Sequence, residues 1–346
     1  MAQTKSPVPS QPPLPYDAPG RPQILILGNG LERSDDSAGS LADAGLSWDA
    51  LVKSLSVPNH VKLETGDLKN IPFPLQYHLR STDKDANYPL NASDRRQENR
   101  RLAEGIQRLD TVTNPWLRRL PDLGADHVFT TNYSYSLERA FCPDKNMLLP
   151  ATRRALRFNN GRERTKSGRQ RVERAYRLYT GYTARGTDGS PVGLWHIHGE
   201  CGVPESIILG HDGYGRLLSR IVPVCGDWKK YHDLKPGQPY AFASWPELFL
   251  FGDVYILGLG LGISEFDLWW LLRRKQREEK AGGRVYFYSN DTDCRDRDLL
   301  LTALGVIINP GGVVRGAGHG EFLTEAMNDA GARIAAQRSQ RPASAV

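Results

Sequence analysis

Cysteine is scarce in this chain. Cys142, Cys201, Cys225 and Cys294 are the only four in 346 residues, and no two of them form a C-x-x-C pair. That excludes a disulfide framework and a zinc ribbon as organising elements and leaves free, mostly buried thiols. Long hydrophobic runs are missing as well. No stretch is apolar enough to cross a bilayer, and residues 1–22 lack the apolar core of a secretory signal, so a cytoplasmic protein with no membrane contact is expected. Hydrophobic residues make up 39 % of the chain, a little low but enough for one sizeable core.

The net charge of +6 is local in origin. Ten basic residues lie between Arg153 and Arg177 against only Glu163 and Glu173, a surplus of eight that exceeds the charge of the whole chain. Such a segment suits nucleic acid, an acidic partner or ligand phosphates, and equally a solvated surface. Phe158 and Tyr176 alone interleave as aromatics, so the nucleic-acid signal is weak.

Residues 1–22 carry seven prolines among small and polar residues and read as a disordered tail, as does the Arg/Ser/Ala-rich stretch from 337 to 346. Between them, apolar runs alternate with helical spacing. Strands are expected at 24–27, 127–131, 193–198, 254–257, 284–289 and 306–308, with a further short one at 207–209. Helices are expected at 36–55, 94–109, 135–140, 265–274, 294–304 and 320–336, while 214–221 and 245–251 are apolar segments left without an element type. The result is an α/β domain over 23–336: a Rossmann-like, mainly parallel sheet with helices on both faces. Two polar stretches, about 57–120 and 143–190, look like insertions, the first of them helical.

Two of the strands break into glycine, as Leu27-Gly28-Asn29-Gly30 and Leu257-Gly258-Leu259-Gly260. A strand that ends so presents backbone N–H groups to a phosphate. Two others deliver polar groups at their ends, Thr130-Thr131-Asn132-Tyr133 and His196-Ile197-His198-Gly199. An Asn offers donors and an acceptor, and a neutral His can take a proton. His196 and His198 share a strand face unless the strand bends. His198 is favoured, being nearer the strand end and followed by a glycine that admits substrate. An imidazole hydrogen-bonded within the core is the plain alternative for either. Asp267 suits a ligand hydroxyl or the cap of its helix. His211, Asp212 and Tyr214 fit no metal-ligand spacing well, and no metal is expected.

The order of these motifs, followed by Ser264-Glu265-Phe266-Asp267, resembles the sirtuin superfamily and most of all its bacterial sirtuin-like branch. The resemblance covers about 23–289. It implies a domain that binds NAD as substrate and cleaves the nicotinamide–ribose bond, an NAD glycohydrolase acting in antiphage defence. It also implies a homo-oligomer, with a HerA-type ATPase or an Argonaute-related protein as partner. By resemblance, Gly28, Asn29 and Gly30 form the diphosphate turn. Thr130 and Asn132 flank the nicotinamide ribose, and His198 matches the catalytic His. Gly258, Gly260, Ser264 and Asp267 line the nucleotide end, and Asn290 contacts the adenosine ribose. Three departures accompany it. Glu32 stands where Ser is usual, Ser134 where a carboxylate is usual, and the zinc module of protein deacetylases is missing. Those departures, with the basic segment, keep open a second function, a catalytically weak subunit that senses nucleotide or binds nucleic acid.

Overall fold

The computed structural model describes residues 21–32, 71–80, 92–109, 115–142, 157–159, 178–226, 242–278 and 283–341. The N-terminal tail through residue 20, the helix expected at 36–55 and most of the basic 153–177 segment lie outside the described residues.

Six strands run parallel: β1 (Gln23–Leu27), β2 (His127–Thr130), β5 (Pro191–His196), β6 (Asp253–Leu257), β7 (Val285–Phe287) and β8 (Ile307–Ile308). Two more, β3 (Arg157–Asn159) and β4 (Thr180–Arg185), are antiparallel, and the sheet order is β3-β4-β5-β2-β1-β6-β7-β8. In chain order the helices are α1 (Asn29–Glu32), α2 (Phe73–Arg80), α3 (Ala92–Leu109), α4 (Ser136–Phe141), α5 (Gly210–Val224), α6 (Trp245–Phe251), α7 (Phe266–Arg277), α8 (Arg295–Ala303) and α9 (His319–Ser339). The fold is therefore the α/β, Rossmann-like arrangement expected. The segment 207–209 is not a strand but leads into α5.

β1 is apolar at Ile24–Leu27 because the sheet is covered on both faces. Leu25 and Leu27 join Val128, Leu194 and Tyr255 in one core, under residues of α2, α3 and α9. Ile24 and Ile26 join Phe129, Trp195 and Ile256 in the other, under α5, α6, α7 and α8. Described parts of the two stretches expected as insertions pack into this frame. Leu102, Ala103 and Ile106 of α3 are buried on one helical stripe, and β3 and β4 extend the sheet past β5. α6 begins where it does because Ser244 and Glu247 form a reciprocal capping box. The C-terminal tail starts later than expected: α9 runs to Ser339, and Arg341 Nη1 donates to Asp126 Oδ1 at 2.9 Å.

The turn after β1 packs backbone against backbone on the turn after β6. A Cβ on Gly28 would stand 2.4 Å from the Gly258 carbonyl oxygen, and one on Gly258 would stand 2.5 Å from Leu31 N. Gly28 N–H donates to Leu257 O at 3.0 Å and Gly30 N–H to Gly258 O at 2.8 Å, extending the pairing of the two strands into their turns. Gly28→Ala must force the turns apart, and overpacking of this kind costs about 1–3 kcal/mol. A fall of that size in chemical denaturation is expected; an unchanged midpoint would show that the turns part freely.

Candidate active site

The chain reverses its direction of travel across the sheet at β1, which leads to β2 on one side while β6 fills the other. Such a switch point opens a crevice beyond the carboxyl ends of the strands. A pocket of about 470 Å³ lies there, walled by Asn29, Gly30, Thr131, Gly258, Leu259, Gly260, Gly262, Ser264 and Glu265. Phe73, Pro74, Tyr77, Leu209, Gly210 and Tyr214 close one side, and Asp291 and Arg297 another. α5 and α7 both start at this wall, and the N-cap side chain of neither bonds to its first turn. Their N-terminal amides and dipoles make the wall favourable to an anion. The β6 turn holds an unusual backbone, with Gly258 at φ 64° and the buried Leu261 at φ 45°, the latter costly for a side-chain-bearing residue.

The expected site residues divide between the pocket wall and the layer behind it. Asn29, Gly30, Gly258, Gly260 and Ser264 are on the wall. Gly28 is not, and the amides of Gly28 and Gly30 are already given to Leu257 and Gly258 carbonyls rather than held for a phosphate. Thr130 is buried and its Oγ1 accepts from Asn132 N at 3.0 Å, while Thr131 takes the place on the wall. Asn290 ties down a neighbouring loop: its Nδ2 donates to Ala317 O at 3.0 Å and its Oδ1 accepts from Gly316 N at 2.8 Å. Its neighbour Asp291 reaches the wall instead.

The two histidines part company because β5 ends at His196 and the chain bends. Gly199 has φ 98°, and its missing Cβ makes room for the Ser206 carbonyl rather than for a substrate, since a Cβ would lie 2.1 Å from that oxygen. His196 stays on the first core, edge-on to Tyr135 and Tyr182, with Nε2 2.7 Å from Glu138 Oε1 and Nδ1 3.0 Å from Asn132 O. Both ring nitrogens therefore face acceptors. Burial works against its charge, but Glu138, Glu200 and the Asn132 carbonyl outweigh burial and lift its pKa to about 9. An imidazolium so held cannot take a proton at neutral pH.

His198 swings toward the second core, against Tyr214 and α7. Its Nε2 lies 2.9 Å from Oδ2 of Asp267, which is fully buried. Asp267 therefore neither caps α7 nor reaches for a ribose from the wall; it fixes the His198 ring. Nδ1 of His198 and Oδ1 of Asp267 have no hydrogen-bond partner among the described residues. Burial would lower the His198 pKa, but the charge and hydrogen bond of Asp267, with the charge of Glu265, leave it raised. His198 is itself 1 % exposed and stands behind the wall.

Asn132 is half-buried next to Thr131 and is not itself on the pocket wall. Its side chain favours the charged form of Glu32. The two departures at 32 and 134 prove to be each other's contacts. Ser134 Oγ donates to the Glu32 carboxylate at 2.9 Å, and Ser136 Oγ reaches Oε1 at 2.5 Å. Burial still raises the Glu32 pKa above its ordinary value despite these hydroxyls. A carboxylate and a hydroxyl thus face each other between the two motifs, with the carboxylate on the first turn and the hydroxyl after the second.

Two wall residues gave no sequence signal of their own. Glu265 sat within a quoted motif but without a role. Arg297 is one charge among several on α8; it donates to Gly260 O and Ser289 Oγ, both at 2.9 Å, and stacks over Phe287. It thereby joins the β6 turn to the end of β7. Arg157, from the basic segment, is turned inward to Glu200 at 3.2 Å rather than offered to a polyanion. His211 packs against Phe266 in the first turn of α5. Among the described residues no group of three His, Cys, Asp or Glu side chains could hold a metal ion, and no helix is long and apolar enough to cross a membrane.

No protein-family model matches the chain and no curated protein matches it. The likeness to sirtuin-like proteins is carried by the quoted motifs alone.

Asp267→Asn removes the charge that raises His198. The His198 ring is expected to titrate at lower pH in the variant by NMR, with His196 staying near 9. An unmoved His198 titration would mean that another group sets it.

Proposed function

We propose that the pocket binds NAD and that the protein is an NAD glycohydrolase releasing nicotinamide and ADP-ribose. The observation that carries the reading is the place of the pocket. It lies at the switch point of a doubly covered parallel sheet, where α5 and α7 begin and a diphosphate would meet their N-terminal amides. Its volume, about 470 Å³, falls within the range of small-molecule sites. The chemistry is supported by the polar groups behind and along the wall: His198, Asp267 and Glu265, each with an unpartnered polar atom among the described residues, and Asn132 beside Glu32.

Nicotinamide is already a cationic leaving group in NAD, so its departure needs no acid. The barrier lies in building positive charge on the ribose and bringing water to it. Carboxylates near that carbon stabilise the charge, and a base beside it accepts the proton of the water. Asn132, next to the wall residue Thr131, would orient a ribose hydroxyl once its side chain turned from Glu32 toward the pocket. The antiphage role, assembly into a homo-oligomer and partnership with a HerA-type ATPase or an Argonaute-related protein follow from the motif resemblance, as does a cytoplasmic setting.

A second reading is favoured by a specific feature. His198 stands behind the wall and the Gly28 and Gly30 amides are already paired. A pocket of that kind suits a subunit that senses a nucleotide without turning it over.

Chromatography of NAD incubated with the protein separates the readings. Nicotinamide and ADP-ribose are expected from the wild type, with loss of about 10²-fold or more in His198→Ala and Asn132→Ala. NAD that remains intact while protecting the protein against heat would establish the sensor, and a cyclic product would replace hydrolysis with cyclisation.

A further inference from the structure

We propose that Glu265 is the general base of the site, the group that takes the proton from the attacking water, with His198 and Asp267 as its positioning partners. The inference deepens the NAD-cleavage reading and rests on it. The motif resemblance gives the base to His198, but the geometry points one layer forward. Glu265 lines the pocket, and His198 does not. The Gly262 amide holds the Glu265 carboxylate, but its buried Oε2 has no hydrogen-bond partner among the described residues. The other carboxylate on the wall, Asp291, is engaged: it accepts from Arg297 at 3.3 Å and from Asp293 N at 3.0 Å.

The charged and titratable groups facing Glu265 come from four elements. They are His198 beyond the end of β5, Asp267 from α7 itself, Arg297 from α8 and Tyr214 from α5. Burial pushes the Glu265 carboxyl up. His198 pulls it back, Asp267 adds to the rise, and the Gly262 amide and Arg297 restrain it, leaving the carboxyl at about 7. A base is most effective when it is ionised yet still basic at the working pH, which this value provides. The buried His198–Asp267 pair then has a defined task. The imidazole, kept in place by Asp267, stabilises the carboxylate form of Glu265 without meeting the ligand.

In the step itself, the water oxygen bonds to C1′ of the ribose as the C1′–N bond breaks. The electron pair of that bond goes to the pyridinium, which leaves as neutral nicotinamide. The proton of the water passes to Glu265 and then to solvent through the pocket mouth. One NAD and one water give nicotinamide, ADP-ribose and one proton.

The test is the pH profile of NAD hydrolysis by the full chain, with kcat and KM measured separately. Wild-type kcat is expected to rise with pH through about 7 as Glu265 ionises. Glu265→Gln keeps the shape but not the base. It should lower kcat by about 10²-fold, leave KM within about two-fold and abolish the rise. Formate added to Glu265→Ala should restore part of the rate. His198→Ala should move the remaining rise to higher pH, because the carboxylate loses its stabilising cation. Glu265→Gln with wild-type kcat and an intact rise would overturn the role of Glu265 while leaving NAD cleavage standing. A wild type that never cleaves NAD would overturn both.

Discussion

The contact on which the rest of the site depends is the meeting of two backbone turns at the carboxyl edge of the sheet. Gly28 and Gly30 lie against Gly258 and Leu259 so closely that side chains are excluded, and their amides pair with Leu257 and Gly258 carbonyls. This joins the ends of β1 and β6 into one rigid floor. The neighbouring residues, Asn29 on one turn and Gly260 to Glu265 on the other, become the wall of the pocket. Arg297 secures the far side by holding Gly260 O to the end of β7. The glycines thus act on each other, and the anion-favouring amides come from α5 and α7.

Behind the floor, burial and pairing give two histidines opposite fates. His196 is enclosed by Glu138, Glu200 and a carbonyl, which hold it charged as part of the frame. His198, two residues on, escapes the strand period because the chain bends before Gly199. It is held by a single carboxylate with one nitrogen unpartnered. Asp267 and Glu265, two residues apart at the start of α7, divide the labour between them: the first is fully buried against His198, the second faces the pocket. A buried charge must be paired to persist; burial lifts the Glu265 carboxyl to about 7 against the pull of His198.

Much of the frame was legible in the sequence. The runs at 24–27 and 254–257 are apolar at every position because both sheet faces are covered. The motif residues do gather at one edge. What the sequence hid was which partner each polar group would find. Gly28 looks the same whether its amide meets a phosphate or the Leu257 carbonyl. Glu32 and Ser134 look like two separate departures, although they are one contact separated by about a hundred residues. Glu265 carries no spacing signal because its importance comes from burial and from His198, a long-range neighbour. The packing of α3 was hidden for a similar reason: its sparse apolar stripe, Leu102, Ala103 and Ile106, is set among charged residues and gains its meaning from the core it covers.

The most direct measurement is a crystal structure with ADP-ribose, the fragment that keeps both phosphates and lacks the leaving group. Density for the diphosphate against Asn29 and the start of α7, with the reacting ribose turned toward Glu265, is the expected result. ADP-ribose bound elsewhere, or a pocket still empty at saturating ligand, would contradict the assignment of this crevice as the site.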